Sequence, residues 1–274
     1  MPRARPGAPS SHAAYARPVL RIIDARTGES APAAPARRAP TRVEAHPPGR
    51  DATALRVMLV ADLLVRVLEL DGTPVWAVLT GAEAGERLRK DAAALGIRPF
   101  EDGAGHGADT GQGVRVVGES LGGSGSGSGS GDGDGSGGAV PDVAAVAVAP
   151  VHPADLDLAD LADPDAVRLA LLERHHHARV ELDTATLDEA RDTLARWRRA
   201  VADWARHPSR PVPGEVRDRL RAAWEDDLDA PGVLRVLRRV ETDPDLADGA
   251  RFEICAYADR FLGLHLTRDV GTVY

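Results

Sequence analysis

The chain has 274 residues, 43% of them apolar, enough to build a packed core in one large or two small domains. Its net charge of −8 argues against dense, sequence-independent binding of nucleic acid, because phosphate contacts need clustered cations. No run approaches the ~18 apolar residues of a membrane span, the first residues lack the apolar core of a secretory signal, and one cysteine cannot close an internal disulfide, so the sequence reads as cytoplasmic.

Residues 1–16 read as a disordered basic arm rich in Pro and Ala, and the first fifty residues carry nine arginines against Asp24, Glu29 and Glu44. Residues 17–25 alternate apolar and polar side chains as a short strand, and a Pro/Ala/Arg-rich loop follows through residue 40. From Asp51, Leu55, Leu59, Leu63, Leu64, Val67 and Leu68 recur at helical spacing, with Asp51 or Thr53 as the cap. Residues 74–80 predict a fully buried strand, residues 82–96 a second helix ended by Gly96, and residues 113–118 a further strand. Strand, helix, strand, helix is the rhythm of an α/β sheet.

A Gly/Ser run from Gly122 to Gly138 cannot offset its ordering entropy and reads as a linker. Residues 144–151 predict a buried strand returning to the sheet. Beyond residue 153 everything reads as helix. A capping box of Thr186 and Glu189 opens a stripe of Leu187, Ala190, Leu194, Trp197, Val201 and Trp204, Asp229 and Pro231 open another helix, and a last one runs from about Ala250 to Gly263. The expected organisation is α/β plus all-α: a reduced Rossmann-like parallel sheet over 17–118, a linker over 119–140, and a returning strand with an antiparallel helical bundle over 141–274.

Three features invite chemistry. His175, His176 and His177 could chelate, but adjacent residues on a helix point about 100° apart, so a structural turn and no metal are expected. Gly103, Gly105 and Gly107 neither follow a strand nor open a helix and make a poor phosphate loop. Cys255 reads as a small buried side chain, and Lys90 is the one lysine among 34 basic residues.

The segment DPDAVRLALLERHHHARVELDTATLDEARDTLARWRRAV (163–201), with EDDLDAPGVLRVL and GARFEICAYADRFLGLHLTRDVG after it, resembles cysteinyl-tRNA synthetases and their mycothiol-ligase relatives. Ala166, Arg168, Leu169, Leu171 and Leu172 carry the match, and ADLLVRVLELDGTPVWAVLTG and RKDAAALGIRP extend it upstream. The resemblance implies that a HIGH signature for ATP would begin at Asp51 and end at Ala54, with Arg56 the arginine that follows it. Neither a carboxylate nor a methyl group replaces an imidazole on a transferring phosphate. It also implies a KMSKS lysine loop near residues 140–160 and a cysteine-anchored zinc, for which this chain has neither lysine nor thiol in place. The family's anticodon-reading region would lie beyond Tyr274.

The expectation is therefore a shortened, non-catalytic paralogue acting as a binding or regulatory module, with tRNA or a full-length synthetase as partner and with neither zinc nor another cofactor. Asp51, Thr53 and Arg56 are its nucleotide-site remnant. Arg191, Arg196, Arg198, Arg199 and Arg206, on the exposed side of the long bundle helix, are candidate tRNA contacts, against the alternative of a solvated face paired with Asp188, Asp192 and Asp203. The alternative function is a divergent amino-acid-activating ligase using ATP at a rebuilt site around the same three residues.

Overall fold

Alternation within ThrArgValGluAlaHis builds the central strand of the protein, β3 (Thr41–His46), whose Thr41, Val43 and Ala45 are buried while Arg42 and Glu44 lie on the other face. The computed structural model describes residues 20–34, 40–81, 85–103, 113–119, 143–153 and 163–272. The basic arm at 1–16, Gly105, Gly107 and the Gly/Ser segment 122–138 lie outside them.

Two strands precede β3: β1 (Arg21–Ile23) and β2 (Ser30–Pro32), which pair antiparallel as a separate ribbon. Residues 17–25 therefore do not supply the sheet strand, and residues 26–40 are not all loop. The ribbon docks beside the main sheet through Asp24, whose Oδ1 accepts from Ala145 N at 3.2 Å while Ala25 N donates to Ala145 O at 2.7 Å.

After β3 come α1 (Ala52–Leu70), β4 (Val75–Leu79), α2 (Glu86–Ala94), β5 (Glu101–Asp102), β6 (Gly113–Gly118) and β7 (Ala144–Val148). They form one parallel sheet in the order β5-β4-β3-β6-β7. Counted within the sheet this is 3-2-1-4-5, the Rossmann-type order, with its reversal point between β3 and β6. The returning strand is β7, as expected. β4 differs from expectation: only Val78 and Leu79 are fully buried. Its neighbour β5 has two residues, which leaves Val75 and Ala77 lining an open cleft of about 260 Å³ with Val65 and Phe100.

Helix α1 is apolar almost all round, which places it between layers rather than on a surface. One side covers β3, β4, β6 and β7, and the other meets α2 and α7. Gly96, at φ +69°, ends α2 in the left-handed conformation that lacks a steric cost only for glycine.

The second half contributes β8 (Val151–His152), α3 (Pro164–Leu172), β9 (Val180–Glu181), α4 (Thr184–Trp204), α5 (Gly214–Glu225), α6 (Ala230–Thr242) and α7 (Asp248–Leu262). β8 and β9 form a short parallel pair. The bundle packs α3 on α4, α5 on α6, and α7 against α4, α5 and α6. Asp229 caps α6 by accepting from Gly232 N at 2.8 Å. The cap of α4 is Asp183, which accepts from Thr186 N at 2.8 Å, rather than a Thr186–Glu189 box, so the helix begins earlier, at Thr184.

Sheet side and bundle side meet at a buried carboxylate. Asp62 of α1, 1% exposed, accepts from Arg66 Nε at 2.8 Å, Arg98 Nε at 3.0 Å and Arg168 of α3 at 3.1 Å. Arg168, fully buried, also donates to Leu262 O at 2.6 Å and Leu95 O at 3.0 Å, which ties α3 to the ends of α7 and α2. Burial alone would raise the Asp62 carboxyl, but Arg168, Arg66 and Arg98 outweigh it and hold the group below its ordinary value of 3.8. Asp62→Asn leaves the Arg168 guanidinium buried without its counter-charge and should cost about 3–5 kcal/mol in chemical denaturation. Because the folded carboxyl sits below 3.8, its contribution is complete above that pH and is lost as pH falls below it. Stability measured against pH should therefore fall less steeply below 3.8 for the variant than for the parent chain.

Candidate functional site

In a sheet of this order a ligand belongs at the carboxyl ends of the strands, where the order reverses, with phosphate on the N-terminus of the following helix. Here that place lies between the end of β3, at His46, and the end of β6, at Gly118. Pro48 of the connecting loop sits on Gly118, where an added Cβ would come within 2.8 Å of the proline ring. His46 Nδ1 is 3.1 Å from Thr80 Oγ1.

The three residues expected as a nucleotide remnant lie at the start of α1, the helix that follows β3, and each is engaged with the scaffold. Asp51 is the N-cap of α1: its Oδ1 accepts from Ala54 N at 2.8 Å, setting a carboxylate where a phosphate would need the free amide and the positive end of the helix. Thr53 is buried, and its hydroxyl accepts from Val151 N at 3.1 Å. Arg56, 1% exposed, donates to four carbonyls: Ala149 at 2.8 Å, Ala178 at 2.6 Å, His175 at 2.8 Å and Arg174 at 3.3 Å. Burial lowers its guanidinium to about 10, against an opposing pull from Glu119, so it is charged at neutral pH. The space beside it amounts to about 10 Å³, no more than one water.

The arginines of α4 divide. Arg198 is not on the exposed side: at 2% exposure it donates to Asp165 at 2.6 Å and to Leu264 O at 2.7 Å, a brace between α4, α3 and the segment after α7. Arg191 pairs with Asp188, and Arg196 with Glu241 at 2.8 Å. Arg199 and Arg206 are exposed and line a cleft of about 560 Å³ with Asp203, Asp269 and Thr272. Arg199 also borders a second cleft of about 230 Å³ with Arg191 and Arg268.

The histidines depart from the expectation that they diverge. Helix α3 ends at Leu172, and residues 175–177 form a turn, so the helical angle does not apply. Their rings stack with centroids 4.1–5.3 Å apart, and all three Nε2 atoms face Oδ2 of Asp227, at 3.8, 3.6 and 3.0 Å for His175, His176 and His177. Asp227 lies between α5 and α6, with backbone φ +51°, and its Oδ1 accepts from Ile23 N at 2.8 Å. Burial holds the imidazoles of His175 and His176 below their ordinary value, that of His176 well below. The triplet was visible in the sequence, whereas Asp227, 50 residues on from His177, carried no signal of its own.

Comparison with known proteins finds relatives over part of the chain. No protein-family model matches the chain. It is 43% identical over 105 residues to an L-cysteine:1D-myo-inositol 2-amino-2-deoxy-alpha-D-glucopyranoside ligase of Acidothermus cellulolyticus, a match covering 38% of this chain and 25% of the ligase. The ligases of the same name from Parafrankia sp. and Streptosporangium roseum are 52% identical over 77 residues and 40% over 113, covering 28% and 38% of this chain and 16% and 26% of those ligases. These cysteine ligases are its homologues over part of the chain. The chain spans about a quarter or less of the length of the curated relatives it matches. The resemblance to synthetase-like ligases is borne out to that extent. No described helix is long and apolar enough to cross a membrane.

The single lysine and the single cysteine lie on α2 and α7. Lys90 is exposed on α2. Cys255 is buried in α7, where burial, then Asp259 and Glu241, push its thiol up to about 12. The thiolate is the reactive form, so Cys255 should resist an aromatic disulfide reagent in the native protein and react stoichiometrically once the chain is unfolded in denaturant. Rapid native modification, followed by absorbance, would contradict its placement.

Proposed function

We propose that this chain is a synthetase-derived scaffold that acts by binding and does not activate an amino acid with ATP. The single observation that carries the reading is Asp51 as the cap of α1. The residue at the first position of the expected HIGH signature donates no proton and fills the amide that a phosphate would take, and its companions Thr53 and Arg56 are buried in bonds to the scaffold. Freeing these side chains would leave the carbonyls bound by Arg56 without a donor and the amides of Ala54 and Val151 without an acceptor, at about 1–3 kcal/mol for each buried group, so the site is not simply awaiting substrate.

Binding in this reading uses the α4 face, with tRNA as the partner class that the synthetase-like scaffold suggests and a companion synthetase as the other. What supports it is the pair of clefts bordered by Arg199, with Arg206 on one and Arg191 and Arg268 on the other. Arg198 also lines the second cleft, but its guanidinium is committed to Asp165.

The expected outcome in a pyrophosphate-exchange assay is no ATP turnover above background with cysteine or any other amino acid. Exchange that depends on one amino acid would overturn the reading. Affinity for bulk tRNA should fall as salt rises, and Arg199→Ala with Arg206→Ala should weaken it and flatten the salt slope by about the two lost phosphate contacts. Salt-insensitive tRNA binding, or none, would move the partner to protein.

A further inference from the structure

We infer that His175, His176, His177 and Asp227 form a binding site for one divalent transition-metal cation, with the three Nε2 atoms and Asp227 Oδ2 as its donors. Each donor comes from a side chain suited to such an ion, and all four donor atoms lie within 4.8 Å of one another. In a tetrahedral site with metal–donor bonds near 2.1 Å, donors stand about 3.4 Å apart. The Nε2–Oδ2 separations here are 3.0, 3.6 and 3.8 Å, each within about half an ångström of that edge.

A second, independent observation is the state of His176. Its ring is almost wholly buried, 5% exposed as a residue, and its Nε2 makes no hydrogen bond. An unsatisfied buried nitrogen costs about 1–3 kcal/mol, and a native structure rarely leaves one without a purpose. A hydrogen-bonded cluster does not explain it. One carboxylate oxygen faces three ring nitrogens, and only His177 reaches it at hydrogen-bonding distance, 3.0 Å. A cation at the shared focus would satisfy all three lone pairs at once.

The surroundings hold the donors as a metal site requires. Ile23 N occupies Asp227 Oδ1, which directs Oδ2 toward the rings. Arg56 fixes the histidine turn through the carbonyls of Arg174, His175 and Ala178. Those carbonyls face the guanidinium, so its charge is partly compensated on the backbone side of the turn. His177 N approaches His175 Nδ1 at 3.5 Å, too long to impose a tautomer that would remove the Nε2 lone pair.

Three imidazoles and one carboxylate, with no thiolate, favour Zn²⁺ and its neighbours over Ca²⁺ or Mg²⁺, which take oxygen shells. Four protein donors close a tetrahedral shell, so the site is structural: it would clamp the turn after α3, the α5–α6 connection and strand β1. The side chains of His175 and His177 are each 30% exposed, which gives the ion its way in.

The test uses the full chain without an affinity tag, stripped with a chelator, dialysed and titrated with Co²⁺ and then Zn²⁺. One equivalent of Co²⁺ should bind with the intense visible absorption of a tetrahedral site, and Zn²⁺ should displace it. His177→Gln and Asp227→Asn should weaken binding at least about tenfold, while His46→Gln and His207→Gln, remote from the turn, should leave it unchanged. Zn²⁺ should raise the thermal midpoint of the parent chain and not that of His177→Gln, whose unfolding in chelator reports whether it remains folded. His175→Gln supplies the same comparison if His177→Gln does not fold. Absence of stoichiometric binding by the parent chain, a pale octahedral Co²⁺ spectrum, or ligand variants that bind as the parent does would each overturn the site.

Discussion

The salt bridge between Asp62 and Arg168 is the constraint on which the arrangement of the two halves depends. Both groups are essentially out of water, and charges so placed persist only when paired and fully hydrogen-bonded. Asp62 is satisfied by three guanidiniums, and Arg168 completes its set with the carbonyls of Leu95 and Leu262. Apolar packing between α1 and the bundle would tolerate sliding or rotation. A fork of directed bonds from α3 to α1, α2 and α7 does not, so the network fixes where the bundle sits on the sheet.

Two more buried arginines repeat the device at other seams. Arg56 runs from α1 to the segment after β7 and to the histidine turn, and Arg198 runs from α4 to Asp165 at the start of α3 and to the chain after α7. In each case a planar guanidinium meets main-chain carbonyls at element ends, where helices and strands leave acceptors unpaired. This chain has almost no lysine, and its internal cations are therefore groups that remain charged when buried. The cost of burying them is offset locally by carbonyls that would otherwise need water.

The helices were legible because their apolar spacing is strong: α1, α4, α6 and α7 lie where leucine, valine and tryptophan recur at three and four residues. Strand β3 was not, because Arg42 and Glu44 alternate with only three small apolar or hydroxyl side chains in a Pro-rich neighbourhood, and the more apolar RII segment drew the assignment. The arginine stripe of α4 was legible as composition but not as exposure. Arg198 lies one turn from exposed neighbours, and its burial depends on Asp165, 33 residues away. Asp51 was legible as a helix cap, but the engagement of Thr53 and Arg56 by backbone groups about a hundred residues on is a property of segments that meet only in space. Convergence of the histidines was missed for a definite reason: the helix stops at Leu172, and a turn can aim consecutive side chains at one point where a helix cannot.

Arg56 links α1 to two other segments. It takes the carbonyl of Ala149, just after β7, and at the histidine turn it takes those of His175 and Ala178. A guanidinium serving both cannot swing toward a phosphate without releasing the turn, and it would leave four acceptors buried and unpaired if it did. In the proposed reading the scaffold has therefore exchanged a mobile ligand-facing charge at this position for a fixed internal one. The same bonds that hold this side chain inside the scaffold orient the backbone from which three imidazoles reach Asp227, so in the proposed reading the loss of a ligand-facing charge and the rigidity of the histidine turn rest on a single buried side chain.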